Sequence, residues 1–446
     1  MDQLNILDRK ILLVLQNYPL ESFSTLAEKL KISPQTMIRR INALKENNIL
    51  FMPVATFIPE RISLTRYFVT LNISSLHQFT YLQMALSEFN YIRSYNRFYG
   101  ENFGMLAVFD LPEEAKTQFI KYLNYLVEQE YCDSFIIDKA MGYRVTKPES
   151  LTNYSKDPEL FNLIGYWQKR KEKSEELPRL PSPVKLESLE PMHMLLLRDL
   201  TNFAKNGVEI SIRSKQTDLI DHYKKYYMHL GKKIRMTDNE KYVYANLSEF
   251  FDTRNAHNIK VDFGRKYYNV ARHSLISNPR WTFSRKLFEQ HVTRAFIIKN
   301  VPKNEKAQIF RLLHEEALPF ETGFELLNDG LFLRFAIPPY YDSKLNYIIW
   351  NTFKDYQVCS LDFFGKHGAW WPFYLENYNW DTKYWKIDDD WTYNNVLTEI
   401  DNKLKTNNFG DIKLNKHIPI ENGNGNGNAS YLHEHISNGN STVSAP

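Results

Sequence analysis

Cysteine is nearly absent: Cys132 and Cys359 are the only two in 446 residues. Two thiols cannot build a disulfide framework or a thiolate zinc site, and both are expected to be reduced and buried. No apolar run approaches the roughly 18 residues of a membrane span. The N-terminus carries Asp2 and Asp8 and lacks a signal-peptide pattern, so a cytoplasmic protein without a membrane partner is expected. A large net charge is missing too. Lysine and arginine number 56 against 52 acids, which leaves +4, so any charge that meets nucleic acid has to be local. There is no glycine-rich phosphate loop, metal-ligand cluster or nucleophile motif. His77, His291 and His314 stand alone in sequence. These residues give no reason to expect an enzyme, a cofactor or a metal.

What is present is the balance of a soluble globular protein, 43% hydrophobic and 24% charged. The length exceeds one ordinary core, so two or more domains are expected. Leu4, Leu7, Ile11, Val14 and Leu15 follow helical spacing. A second, short helix is expected from Ser24 as N-cap, with Leu26, Ala27 and Leu30 on its buried stripe. Lys31 and Ile32 then make a tight turn. Ser33 caps a third helix, and Pro34 takes the first helical position, where a missing N–H costs nothing.

In this third helix Met37, Ile41 and Leu44 share one face. At about 100° per residue, Gln35, Arg39 and Asn42 fall opposite them. An amide, a guanidinium and a second amide match the base edges of a major groove. Lys31, Ser33, Thr36, Arg40 and Lys45 flank that face and are candidates for phosphate contacts. Five basic and no acidic residues lie between Lys29 and Lys45, a local phosphate footprint. Asn47-Asn48 ends the helix, because asparagine tolerates the left-handed conformation. Two readings fit this pattern. One is a winged helix-turn-helix on double-stranded DNA. The other is a trihelical interaction module with a solvated basic face.

The stretches "ILDRKILLVLQ" and "STLAEKLKISPQTMIRRINALKENNIL" resemble the N-terminal domain of the Lrp/AsnC (leucine-responsive regulatory protein) family of prokaryotic transcription regulators. The shared pattern includes Ser33, Arg40, Ile41 and Leu44. Asn48 departs from it, standing where the family usually has glycine. The resemblance implies sequence-specific DNA binding and transcription regulation.

Residues 65–73, 75–89, 91–100, 103–111, 112–130 and 132–140 alternate as strand, helix, strand, strand, helix, strand, a ferredoxin-like βαββαβ unit. In the Lrp/AsnC family such a unit serves self-association and effector sensing. Here Gly100-Glu101-Asn102-Phe103 lacks the aspartate the family often has between the two central strands, which argues against amino-acid sensing. A small-molecule effector therefore stays open.

Pro178, Pro181 and Pro183 place a boundary in a linker with a charged helix over residues 157–176. The pattern then returns: residues 293–301, 303–317, 319–327, 330–338, 340–356 and 358–365 again spell βαββαβ. Just before it, Asn278-Pro279 echoes Ser33-Pro34, and Arg280, Ser284, Arg285 and Lys286 would face DNA from a degenerate second winged helix. Twelve aromatics between Phe363 and Tyr393 suggest a tryptophan-rich cap on the second core or a protein interface. The tail after Asn422 is low-complexity and expected to be disordered.

The fold class expected is α+β: a winged helix-turn-helix followed by a ferredoxin-like domain, the arrangement repeated in divergent form. The expected segments are 1–60 for the winged helix, 61–145 for the first ferredoxin-like domain and 146–190 for the linker. They continue with a helical region at 191–292, the second ferredoxin-like domain with its extension at 293–400, and the tail at 401–446. The two ferredoxin-like units are expected to self-associate or to pair within the chain as a pseudo-dimer. The competing function is a protein-interaction or small-ligand-sensing module without direct DNA binding.

Overall fold

The computed structural model describes residues 4–51, 53–100, 103–147, 162–201, 211–272, 275–281, 292–316, 318, 320–370 and 375–405. The fold is α+β. Three helices open it: α1 (Ile6–Asn17), α2 (Phe23–Leu30) and α3 (Pro34–Glu46), followed by strand β1 (Val54–Phe57). The first βαββαβ unit comprises β2 (Thr65–Ile73), α4 (Leu76–Glu88), β3 (Ile92–Gly100), β4 (Phe103–Leu111), α5 (Lys116–Glu128) and β5 (Ser134–Lys147). The second comprises β7 (Val292–Lys299), α11 (Lys303–Glu315), β8 (Glu321–Leu327), β9 (Gly330–Ile337), α12 (Asp342–Thr352) and β10 (Gln357–Trp370).

The two units close a single eight-stranded barrel in the order β10-β3-β4-β2-β5-β8-β9-β7. Within each half the first strand sits between the third and the fourth. The fourth strand then pairs antiparallel with the second strand of the other half: β5 with β8, and β10 with β3. The closing strands β5 and β10 are 14 residues each, longer than the stretches read from the sequence, because each serves two sheets. The halves therefore pair as a pseudo-dimer within one chain.

Alternation along each strand sorts the side chains. Odd-numbered Tyr67, Val69 and Leu71 face outward into a core with α4 and α5, while Phe68 faces the barrel interior. In the second half Phe296 and Ile298 pack beneath α11 and α12, and Ala295 and Ile297 join Phe68, Leu106 and Phe332 inside. The duplication is visible in two glycines. Gly104 opposes Asn72, and Gly330 opposes Lys299. A Cβ at either would collide with a carbonyl oxygen of the neighbouring first strand, Leu71 or Ile298.

The barrel also holds charge. Arg66 of β2 meets Asp110 of β4 through two bonds of 2.7 and 2.8 Å and reaches Glu325 of β8 at 3.5 Å. Arg144 of β5 bonds Glu325 at 3.0 Å and Glu60 at 2.6 Å. Burial pushes the Asp110 carboxyl up, but Arg66 outweighs it and holds the group below its ordinary range. Burial dominates at Glu325, which is raised.

Between the βαββαβ units lie α6 (Leu163–Gln168), α7 (Pro191–Leu200), α8 (Gln216–Leu230), α9 (Asp238–Asp252), α10 (Ala256–Arg272) and strand β6 (Ile276–Arg280). The last three of these helices, α8, α9 and α10, with β6 repeat ahead of the second βαββαβ unit the order helix, helix, helix, strand that precedes the first. Strand β6 pairs antiparallel with β1, so the two trihelical units are joined by a short ladder. Three expectations are corrected here. First, Asn278-Pro279 opens no helix. It lies in β6, where two residues oppose Ala55 alone, since Val54 pairs with Arg280 and Thr56 with Ser277. Proline cannot donate to a ladder, and a bulge in a short strand accommodates it.

Second, the helix expected in the linker is short and docked: Leu163, Tyr166 and Trp167 are buried in the second core, with the Trp167 ring 5.7 Å from Phe353. Third, the tryptophan-rich segment covers the first half. Strands β11 (Tyr378–Asn379) and β12 (Tyr384–Trp385) and helix α13 (Asn395–Lys405) pack on the core beneath α4 and α5. Trp385 Nε1 donates to the Ile62 carbonyl at 2.7 Å. The cause is the crossing of β10, which delivers the chain to β3. The expected tail after Asn422 lies outside the described residues.

Cys132 is buried and Cys359 half-buried, and neither is in a disulfide. Burial and then Asp133 push the Cys132 thiol up to about 12.

Two outcomes follow. Arg66→Met leaves Asp110 and Glu325 buried without their shared partner and should cost about 3–5 kcal/mol, read as a lowered melting midpoint. Asp199, at the end of α7, sits between Arg198 at 2.6 Å and His222 of α8 at 3.5 Å. Burial pushes it up, but Arg198 and the hydrogen bonds prevail and hold it at about 2 against 3.8. A folded value below the unfolded one stabilises above the unfolded value and is lost as pH falls through the folded one. Asp199→Asn should remove about 2 kcal/mol of the acid sensitivity between pH 4 and pH 2, measured as the difference in melting curves between the two proteins.

Candidate nucleic-acid interface

Helix α3 is fixed at both ends before its exposed face is considered. Lys31 closes α2 in the left-handed conformation, φ 55°, and leaves only Ile32 before the next cap. Ser33 Oγ accepts the Thr36 amide at 3.1 Å and donates to Thr36 Oγ1 at 2.9 Å. Pro34 holds the first helical position, as the sequence indicates. At the other end Asn47 Nδ2 donates to the Ala43 carbonyl at 2.8 Å, and Asn48 is left-handed, φ 52°. Asparagine there does the work of the glycine that the sequence lacks. The cap of α2 is Ser22, whose Oγ accepts the Thr25 amide at 3.1 Å, rather than Ser24.

Met37, Ile41 and Leu44 are buried against Ile11, Leu15, Leu26 and Ala27. The opposite face presents Gln35, Arg39 and Asn42, all exposed and all without a hydrogen-bond or ion-pair partner among the described residues. Ile38 is 44% exposed and completes this face by its three- and four-residue spacing. The sequence reading missed Ile38. Its signal was an apolar residue off the buried stripe, and such a group suits the methyl of thymine.

The flanking basic residues differ from one another. Lys31 is exposed. Lys29 lies over the Tyr18 ring at 4.2 Å. Arg40 is half-buried and pairs with Asp8 of α1 at 3.6 Å. Arg40 therefore ties α3 to α1, and part of its charge is already answered. Thr36 and Lys45 are half-buried, and Ser33 is exposed but engaged in the cap.

The other candidate helix is displaced from its expected place. By position in the chain the counterpart of α3 is α10, since each is the third helix of its unit and precedes one strand of the β1–β6 ladder. Of the residues expected to face DNA from the second unit, Arg280 lies on β6, and Ser284, Arg285 and Lys286 lie outside the described residues. Helix α10 exposes Asn258, Lys260 and Arg265, while Asp262 pairs with Arg254 at 3.0 Å and with Arg265 at 3.5 Å. Helix α10 thus carries an acid, Asp262, near its middle, whereas the acid of α3, Glu46, is its last residue.

The first unit is a helix-turn-helix with a face free to meet DNA, placed ahead of a ferredoxin-like barrel. Residues 4–50 match the family model described as winged helix-turn-helix DNA-binding, and in this arrangement the chain resembles the Lrp/AsnC regulators. Among solved structures it is similar to the siroheme decarboxylase NirDL, at 12% identity and TM-score 0.42, over 80% of this chain and 91% of that one. It is similar to an AsnC family transcriptional regulator from Agrobacterium tumefaciens at 22% identity and TM-score 0.26, over 31% and 90%. It is likewise similar to AsnC of E. coli at 16% identity and TM-score 0.23, over 31% and 92%. No curated protein matches the chain. No helix among the described residues is long and apolar enough to cross a membrane.

Ser33→Ala removes a cap worth about 1 kcal/mol. Hydrogen exchange at the Thr36 amide should quicken about fivefold, with amides of α5 unchanged.

Proposed function

We propose that the chain is a sequence-specific DNA-binding transcription regulator of the Lrp/AsnC type, acting in the cytoplasm, with both halves of a paired regulator fused. The observation that carries this reading is the face of α3. Gln35, Ile38, Arg39 and Asn42 are exposed in a row on a helix whose caps and buried stripe fix its orientation. Gln35 and Asn42 suit adenine, Arg39 suits guanine, and Ile38 suits a thymine methyl. Lys31, at the turn before the helix, and Lys45, in its last turn, take phosphates, with Ser33 and Thr36 beside the first turn. Arg40 reaches a phosphate only as an extension of its pairing with Asp8. Helix α10 presents Lys260 and Arg265 at the corresponding place in the second unit, where Asp262 weakens the attraction for phosphate.

Selection from a random duplex library defines the preferred site. The double variant Gln35→Ala, Arg39→Ala should then lose about 10- to 100-fold in affinity for that site and keep its affinity for unrelated DNA. Enrichment of the same sequence with the same affinity would overturn the base-reading assignment. Lys31→Ala should weaken binding to all duplexes alike and reduce the slope of log K against log salt by about 1. An absence of salt-dependent duplex binding in the wild-type chain would favour the interaction-module reading instead.

A further inference from the structure

The first winged helix rests on residues that come from the middle of the chain. Trp281 is buried in its core, 6.3 Å from the Phe23 ring. Arg213, in the turn before α8, lies over both rings, at 4.4 Å from Phe23 and 5.6 Å from Trp281. The turn is held by Ser211, whose amide is bonded by Ser214 Oγ at 2.9 Å and whose own Oγ accepts the Arg213 amide at 3.1 Å. The guanidinium is thus placed with its backbone fixed and its plane supported.

Beside it is a cavity of about 330 Å³. Leu20, from the connection between α1 and α2, forms part of its wall. Leu200 of α7, Ile212, Val270 of α10 and Ile276 of β6 supply apolar surface. The Tyr267 hydroxyl, also at the wall, is already donated to the Ile212 carbonyl at 2.8 Å. Among the described residues of the lining Arg213 is the only charged one, and its Nη1 donates to the Pro19 carbonyl at 2.9 Å. That uses one of five guanidinium donors. No carboxylate pairs with it among the described residues. Burial lowers its proton affinity. The indole N–H of Trp281 also lacks an acceptor among the described residues.

We propose that this cavity binds a small organic carboxylate with an apolar body, the carboxylate on Arg213 and the body against Leu200, Val270 and Ile276. The volume is at the small end of ligand sites, about 300–1,000 Å³. A forked guanidinium with free N–H groups matches a carboxylate in two parallel bonds. Among the described residues the lining has no carboxylate to pair with an ammonium group, so a carboxylate without an α-amino group is the class favoured. The site stands independently of the DNA-binding reading, since it is occupied or empty whether or not α3 meets DNA.

Calorimetry on the full chain tests it with 3-phenylpropanoate as the probe. Saturable binding is expected. The amide of the same compound and phenylalanine should bind about tenfold more weakly or worse, and inorganic phosphate should not compete. Arg213→Gln should weaken the probe at least tenfold. Because that change also removes support from Phe23 and Trp281, a second variant is needed. Leu20 is 55% exposed, so Leu20→Trp crowds the cavity from its rim without a change in the core. It should weaken the probe at least tenfold with an unchanged melting midpoint. The proposal is overturned by absent binding at millimolar 3-phenylpropanoate, by equal binding of the amide, phenylalanine or phosphate, or by undiminished binding in a folded Arg213→Gln or Leu20→Trp protein.

Discussion

Edge strands govern how this chain is put together. A four-stranded βαββαβ sheet has two edges, and each presents unpaired amides and carbonyls that bind any strand offered to them. In this molecule each half offers the other a 14-residue closing strand, β5 to β8 and β10 to β3. Both edges of both sheets are satisfied at once, and a barrel without an edge results. The rest of the layout follows from that closure. It sets the helices on the outside, brings Arg66 of the first half to Glu325 of the second, and sends the chain beyond β10 across to the first core. It also brings β1 and β6 together as one ladder beneath the two trihelical units.

The barrel interior is mixed in character. Phe68, Phe98, Leu106 and Phe332 fill part of it, while Arg66, Asp110, Arg144 and Glu325 form a continuous charged chain across the β2–β5–β8 junction. Such a network contributes less net stability than apolar residues of the same volume, yet removing one member is expensive. It sits where the halves meet and links strands of both. It specifies register: Arg66 must face Asp110 and Arg144 must face Glu325, and a slip of one residue would move every partner to the outer face.

The sequence was most informative where local chemistry and tertiary structure agree. Ser33-Pro34 reads as a helix start and is one, because a cap needs only its own backbone. The alternation in Thr65–Ile73 reads as a strand because one face is core and the other is barrel. Legibility failed where the decisive partner is distant in sequence. Asn278-Pro279 has the look of a cap, but β1 captures it as a bulged strand. The tryptophans from Trp380 to Trp391 name a core without naming which half they cover, and only the path of β10 decides. Arg40 looks free until Asp8 is brought beside it. Ile38 lies off the buried stripe of α3, and its angle on the helix puts it with Gln35 and Arg39. The Arg213 cavity could not be foreseen at all, since its walls come from five separated stretches of chain.

Closure of the barrel within one polypeptide removes two conditions that bind any self-paired protein. Assembly no longer depends on dilution, because tethered halves meet at a fixed effective concentration. Nor does each surface have to serve twice, as it must across a two-fold interface. A residue at the junction of two identical copies is matched by its own image, and a change there is made in duplicate. Here the first trihelical unit rests on Arg213 and Trp281, which come from outside it, while the second carries Asp262 near the middle of a helix whose counterpart has an acid only at its last residue. The fused chain can therefore give its two ends different tasks at the level of single side chains.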